Sequence, residues 1–253
     1  MITQLQDRIA KYMTRNASTS DWRSMREYYA RYLYLTFMCL IANDINPDCE
    51  VEGVGDILCD NFLEDAEIVR YVLATGDSTE FMREITDLMG KQKIRDMNEI
   101  YQGILAGDFI LKDDRILFDR SKNNRDILGS YYTQERFAYE ITEKTIMDYC
   151  RENNNVDLRI ADYACGGGAF LVSACKVCRE NGIVPKLYGY DVDPIAVLIT
   201  RFRLLKEAGL QADDSCILLG NPLLRNEERE DLLSIFKCAV SGRFYNTRMG
   251  IIS

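Results

Sequence analysis

The 253-residue chain contains no histidine. The side chain that most often acts as a general base near neutral pH, and the commonest metal ligand, is therefore missing. Ser-His-Asp and Cys-His nucleophilic chemistry are excluded with it. Proline is scarce at 4 residues and glycine stands at 16, with no low-complexity tract and no repeat of solenoid period, so a compact, non-repetitive fold is expected. No apolar run approaches the roughly 20 residues of a membrane span. The longest, Tyr32 to Ala42, is expected to be a buried helix of a cytoplasmic protein that has no membrane partner. The 9 cysteines follow no regular spacing. Cys175 and Cys178 form a lone C-x-x-C pair without the second pair or the histidines of a tetrahedral zinc site, so no metal is expected. Basic residues number 31 against 40 acidic, and the net charge of -9 opposes attraction to a polyanion. Nucleic-acid binding then needs a local basic surface or another chain.

What is present divides into two grammars, with a 47% hydrophobic content that supports an ordinary core. Residues 1–128 read as a mainly helical domain. Ser18 and Asp21 stand at capping-box spacing, and Trp22, Tyr29, Leu33, Phe37 and Leu40 then recur at helical intervals until Asn46-Pro47. Further helices are expected over Phe62 to Ala74, Thr79 to Met89 and Ile94 to Leu105. Tyr28, Tyr32 and Phe37 read as core. Residues 129–253 alternate short β-rich runs with helical ones. Strands are expected at Leu158 to Ala161, Leu187 to Tyr190 and Ile217 to Leu219, with helices at Ala169 to Glu180 and Ile195 to Ala208 between them. That alternation indicates an α/β fold with a parallel sheet. A helix from Gln134 is expected to bury Phe137, Ile141 and Tyr149, with Thr133 available to cap it. Arg201, Arg203 and Lys206 read as a solvated helix face.

The run Asp162-Tyr-Ala-Cys-Gly-Gly-Gly-Ala-Phe170 follows a strand and opens a helix, so Gly166 and Gly168 can bring backbone close to a ligand at a helix N-terminus. It lacks the Lys-Ser/Thr of a phosphate-binding P-loop and departs from G-x-G-x-x-G. Asp191 ends the next strand roughly 20 to 25 residues beyond the glycines, the distance at which an acid takes ribose hydroxyls. An adenosine-containing ligand is expected.

Four segments, in order, resemble the N6-adenine DNA methyltransferases, especially type I modification subunits and fused type II enzymes. Leu128-Gly-Ser-Tyr-Tyr-Thr-Gln134 resembles G-x-Y/F-Y-T-P, and Asp162 to Phe170 resembles D-P-A-C-G-S-G-A-F. Gly189-Tyr-Asp-Val-Asp-Pro194 resembles G-x-D-I-D-P, and Leu219-Gly-Asn-Pro-Leu-Leu224 resembles I-G-N-P-P-Y, followed by Arg225-Asn-Glu-Glu228. Tyr28 to Asp44 and Ile100-Tyr101 resemble an N-terminal helix and an I-Y-E lead-in of modification subunits. The resemblance implies a Rossmann-like S-adenosylmethionine-dependent methyltransferase fold with an incomplete parallel sheet and an N-terminal helical domain. It implies S-adenosylmethionine as cofactor, S-adenosylhomocysteine as product, and no metal. The implied cofactor residues are Tyr132, Thr133, Asp162, Ala164, Cys165, Gly166, Gly168, Phe170, Asp191, Val192 and Asn221.

The resemblance assigns catalysis, the transfer of methyl to an exocyclic amino nitrogen, to Asn221, Pro222, Leu223 and Leu224. Asn221 and the Pro222 carbonyl would accept hydrogen bonds from the amino group. DNA is the implied partner, reached through additional sequence or a partner chain that completes the sheet or supplies target recognition. Leu223 and Leu224 depart from the family's proline and base-stacking aromatic, and Gln134, Tyr163 and Gly167 replace its Pro, Pro and Ser. The family places one more strand between the acidic loop and its N-P-P-Y strand, and Leu210 to Ser215 are too short to supply it. A non-catalytic cofactor-binding scaffold, and an N-methyltransferase of protein or small molecules, remain the alternatives.

Overall fold

The computed structural model describes residues 1–61, 66–90, 96–119, 133–153, 158–209 and 215–220. They fall into two compact units, one within residues 1–119 and one within 133–220. Among the described residues, no helix is long and apolar enough to cross a membrane.

The first unit is built on α1 (Ile2–Asn16) and α2 (Trp22–Ile45), followed by a single 3-10 turn into α3 (Val54–Asn61), then α4 (Ala66–Leu73), α5 (Ser78–Met89) and α6 (Met97–Leu105). Asp21 is the N-cap of α2, its carboxylate accepting from the Arg23 amide at 2.9 Å. Ser18 lies before the helix, its amide bonded to the Ser24 hydroxyl, so the capping box read at Ser18 is replaced by a simple Asp cap. Asn46 ends α2 as expected. From Tyr32 to Asn43 the helix is buried all round, and Tyr12, Tyr32 and Phe81 meet with ring centroids 4.8 to 5.7 Å apart. Edge-on and tilted aromatic packing of this kind adds about 0.5–1.5 kcal/mol per pair to plain burial. Polar groups inside this core pair with one another. Tyr32 donates to Asp77 at 2.6 Å, and the Asn16 amide donates to Asp77 at 2.5 Å and to the Tyr32 hydroxyl at 2.8 Å.

A hairpin, β1 (Asp108–Lys112) and β2 (Arg115–Asp119), interrupts the helical reading of this region. Its turn is Asp113-Asp114, both left-handed at φ 49° and 59°, the two-residue turn whose twist matches antiparallel strands. The signal was an apolar pair of runs mirrored about two aspartates. One face of the hairpin meets α2: Phe109 packs on Trp22 and Tyr29 at centroid distances of 5.3 and 5.4 Å. Trp22 thus belongs to the hairpin contact and stays half exposed, rather than sharing the buried stripe of α2.

The second unit alternates α7 (Glu135–Glu152), β3 (Arg159–Asp162), α8 (Ala169–Glu180), β4 (Lys186–Asp191), α9 (Pro194–Ala208) and β5 (Ser215–Leu219). The strands form a parallel sheet in the order β3-β4-β5, with Asp162 level with Gly189 and Gly189 level with Ile217. Gly209 closes α9 in the left-handed region at φ 66°, as its position after the last periodic residue requires. The strand leading to Asn221 therefore lies against β4, on the side away from β3, and is the third in line. Ser215 to Leu219 are the strand expected at Ile217 to Leu219, begun two residues earlier.

Helix α7 overturns two expectations. Its N-cap is Gln134 without a side-chain bond, so Thr133 does not cap it. Ala138, Thr142 and Ile146 are its buried stripe, while Phe137, Ile141 and Tyr149 are 54, 56 and 49% exposed. Small side chains let α7 lie close against α8, and the large ones are left on the other side. Alternate residues of β3 are exposed. Parallel sheets are ordinarily covered on both faces, yet the outer side of β3 borders a groove of about 540 Å³ lined by Ile141, Ile146, Tyr149, Ile160, Phe170 and Ala174.

Candidate cofactor site

The site forms where the glycine-rich loop leaves β3. Asp162 accepts from the Ala164 amide at 3.1 Å, which turns the chain out of the strand. The Cys165 amide donates to the Tyr190 carbonyl at 2.9 Å, fastening the loop to the end of β4. Gly166 and Gly168 follow in the left-handed region, at φ 52° and 80°. Gly168 caps α8, and a Cβ there would come within 2.9 Å of the Thr200 side chain. Glycine is required at this position by backbone conformation and by space together. Gly189 on β4 is favoured by space alone, since a Cβ would meet the Leu171 and Ile217 side chains at 2.8 and 2.9 Å and both would have to shift.

Asp191 ties the two strand ends together. It is buried, and one carboxylate oxygen accepts from the Gly166 amide while the other accepts from the Asp193 amide, both at 2.9 Å. A carboxylate offers about four acceptor positions, so two remain for a ligand's hydroxyls. Val192 is half-buried in the turn between these acids. Asp193 caps α9 by accepting from the Ile195 amide at 2.9 Å, with Pro194 in the first turn. The two acids of Asp-Val-Asp-Pro therefore divide the work: Asp191 faces the loop and Asp193 starts the helix.

Around this frame, burial pushes the Asp162 carboxyl up. The Ala164 amide opposes that shift and the charge of Asp191 adds to it. Burial likewise pushes the Cys165 thiol up, which suits a packing role and not a nucleophile. Tyr163 is 65% exposed, with its ring 6.1 Å from that of Tyr190. No acidic residue occupies the first turn of α8, so the unpaired amides that open a helix face the loop with no competing carboxylate on that turn.

Of the residues expected to hold the cofactor, Asp162, Ala164, Cys165, Gly166, Gly168, Asp191 and Val192 come together at this one end of the sheet. Phe170 instead lines the groove beside β3. Thr133 immediately precedes Gln134, the residue before α7. Tyr132, Asn221, Pro222, Leu223 and Leu224 lie outside the described residues. Gly220, the last described residue before Asn221, donates to the Asp191 carbonyl at 2.8 Å. Cys175 and Cys178 are buried on α8, and among the described residues no cluster of three potential metal ligands occurs.

The reading of α9 as a solvated face holds for Lys206, which is exposed, and fails for the two arginines. Arg201 donates to the Ile217 carbonyl at 2.9 Å, and Arg203 is 2% exposed. Thr200 and Arg203 both reach the glycine loop, a pairing with no local sequence signature.

An adenosine cofactor with an amino-acid tail fits this donor set. The loop offers close backbone, the end of β4 offers a buried acid, and no lysine stands where a P-loop would hold phosphates.

No family model matches the chain. Over 91 residues, 36% of its length, it is 33% identical to the Type II methyltransferase M.VspI of Vibrio sp. (strain 343), of which it spans 20%. At that distance the chain is related to a methyltransferase.

Proposed function

We propose that the second unit is the cofactor-binding part of a Rossmann-like, S-adenosylmethionine-dependent methyltransferase of the N6-adenine DNA type. The observation that carries this reading is the buried Asp191 carboxylate, held to the Gly166 amide at 2.9 Å across 25 residues of sequence. It joins an acid at one strand end to a positive-φ glycine loop at the neighbouring strand end, which is how open α/β sheets build adenosine sites. Asp191 would take the ribose hydroxyls, and the Gly166–Gly168 backbone would lie against the cofactor's amino-acid portion. Val192 would border the adenine. Bound S-adenosylmethionine supplies a methyl group already activated on a sulfonium. The protein's part is then to position a nitrogen and exclude water, work that needs neither histidine nor metal.

The order β3-β4-β5 corresponds to the 1-2-3 half of a doubly wound sheet, in which the ligand crevice opens beside strand 1 and the fourth strand is added there. This order keeps Gly220 at the Asp191 end of β4. It also favours a substrate-presenting strand supplied at the outer side of β3, by further sequence or by a partner chain. The related reading, a chain that binds cofactor and leaves methyl transfer to that completing element, follows from the same topology.

Calorimetric titration with S-adenosylmethionine tests the cofactor site, and absence of binding overturns the proposal. Transfer of labelled methyl to duplex DNA, with adenine-free duplex as control, tests the substrate. A protein that binds the cofactor and methylates neither DNA nor a completed assembly's DNA retains the cofactor reading and loses the enzymatic one.

A further inference from the structure

We infer that Arg203 and Thr200 are the positioning residues of the cofactor loop, and that Glu135 connects that loop to the start of α7; the inference rests on the reading of residues 162–170 as a cofactor site.

Burying a guanidinium is costly unless its hydrogens are answered. Arg203 meets that demand with a specific set of acceptors. Its Nε donates to Glu207 at 2.7 Å, one terminal nitrogen donates to the Gly167 carbonyl at 2.8 Å, and the other donates to Glu135. Lys176 also bonds Glu207, at 2.7 Å, so two acids and two bases form one network. Burial would push the Glu207 carboxyl up, but its bonds to Arg203 and Lys176 outweigh that and hold it below the ordinary glutamate range. The guanidinium is a rigid fork. With Glu207 fixing one side of it on the same helix, the remaining nitrogens have little freedom in where they point.

Thr200 lies one turn earlier on the same face of α9, fully buried, and its hydroxyl donates to the Gly166 carbonyl at 2.7 Å. Two consecutive carbonyls of the loop are thus held by one helix face. In a trans peptide the C=O and the following N–H point in opposite directions. Pinning the Gly166 carbonyl to α9 therefore turns the Gly167 amide away from α9, and the loop is shaped before any ligand arrives. Such pre-ordering raises affinity by removing the cost of ordering the loop on binding. Glu135 is the first residue of α7, so the same guanidinium ties the start of that helix to the loop.

The test uses the full chain and its variants R203M, R203K, T200V, T200S and E135Q, with S-adenosylmethionine as the probe. R203M and T200V are expected to weaken binding about 10- to 100-fold, because charged and buried hydrogen bonds are lost from the loop. T200S keeps the hydroxyl and should stay within about threefold of wild type. E135Q should weaken binding less than R203M, and R203M/E135Q should be clearly less than additive, as expected for groups in one network. Hydrogen exchange in the ligand-free protein is the second readout: the Gly166 to Gly168 amides should exchange faster in R203M and T200V and normally in T200S. If T200V and T200S behave alike in both readouts, or R203M matches wild type in both, the inference is overturned. If R203M does not fold, the T200V/T200S pair decides. If wild type binds no S-adenosylmethionine, the functional proposal fails while exchange alone still decides the role of Thr200 and Arg203.

Discussion

The two units bury polar side chains in different ways. In the first, single groups such as Gln6 bond helix carbonyls, and the clusters answer one another: Asn16, Tyr32 and Asp77 form a closed triangle, and Arg31 is joined to Glu27, Tyr71 and Thr75. In the second, they answer the backbone of a single loop: Asp191 takes the Gly166 amide, Thr200 the Gly166 carbonyl, and Arg203 the Gly167 carbonyl. Both arrangements satisfy buried groups, as they must. A cluster that closes on itself fixes how helices pack. A cluster that ends on loop backbone fixes the form of a surface, and what it holds still is available to something else.

The sharpest way to break this comparison is at Asp191. D191A removes the acceptor of two backbone amides and should lower S-adenosylmethionine affinity about 100-fold or more by calorimetry, at roughly 1.5–3 kcal/mol for each charged hydrogen bond. Thermal stability of the first unit should not move. D77A is the mirror experiment. It leaves Tyr32 and Asn16 without their shared acceptor and should cost about 2 kcal/mol in denaturant unfolding, with cofactor affinity unchanged. Equal loss of affinity in D77A and D191A would end the distinction.

Acid offers a gentler test. The Glu207 carboxyl is held low in the folded state, so its contribution is present above the ordinary glutamate range and lost as pH falls through the lowered folded value. The melting temperature should therefore drop as the pH falls below the ordinary glutamate range, and E207Q should show a flatter dependence there. The smallest effect lies at the hairpin. Asp114 is non-glycine in the left-handed region, and D114G should raise stability by about 0.5 kcal/mol, seen as a slightly higher denaturant midpoint.

The second unit was the more legible of the two because its elements are punctuated. Gly-Gly-Gly opens α8, Asn181-Gly182 ends it, Asp193-Pro194 opens α9 and Gly209 ends that, and the helices expected between these marks are the ones observed. The first unit was legible where periodicity is strong, as along α2, and less so at the hairpin, where two aspartates carry the turn in place of the Asn-Gly that announces one. Two features left no local trace. The face of α7 was misread because periodicity rewards large side chains, whereas close packing there uses Ala138 and Thr142. Arg203 was misread because two of its acceptors, Gly167 and Glu135, are far away in sequence.

Gly189 has a consequence for how such a chain can change over generations. A Cβ there would crowd the Leu171 and Ile217 side chains together, so the three positions are coupled. Alanine there should be harmful on the background of both large neighbours and best tolerated once both have become smaller, an interaction between sites in contact and not a property of the glycine. A lineage that loses this glycine then does so at least cost after permissive changes at positions 171 and 217, and the order of substitutions, more than their identity, decides which descendants keep the loop.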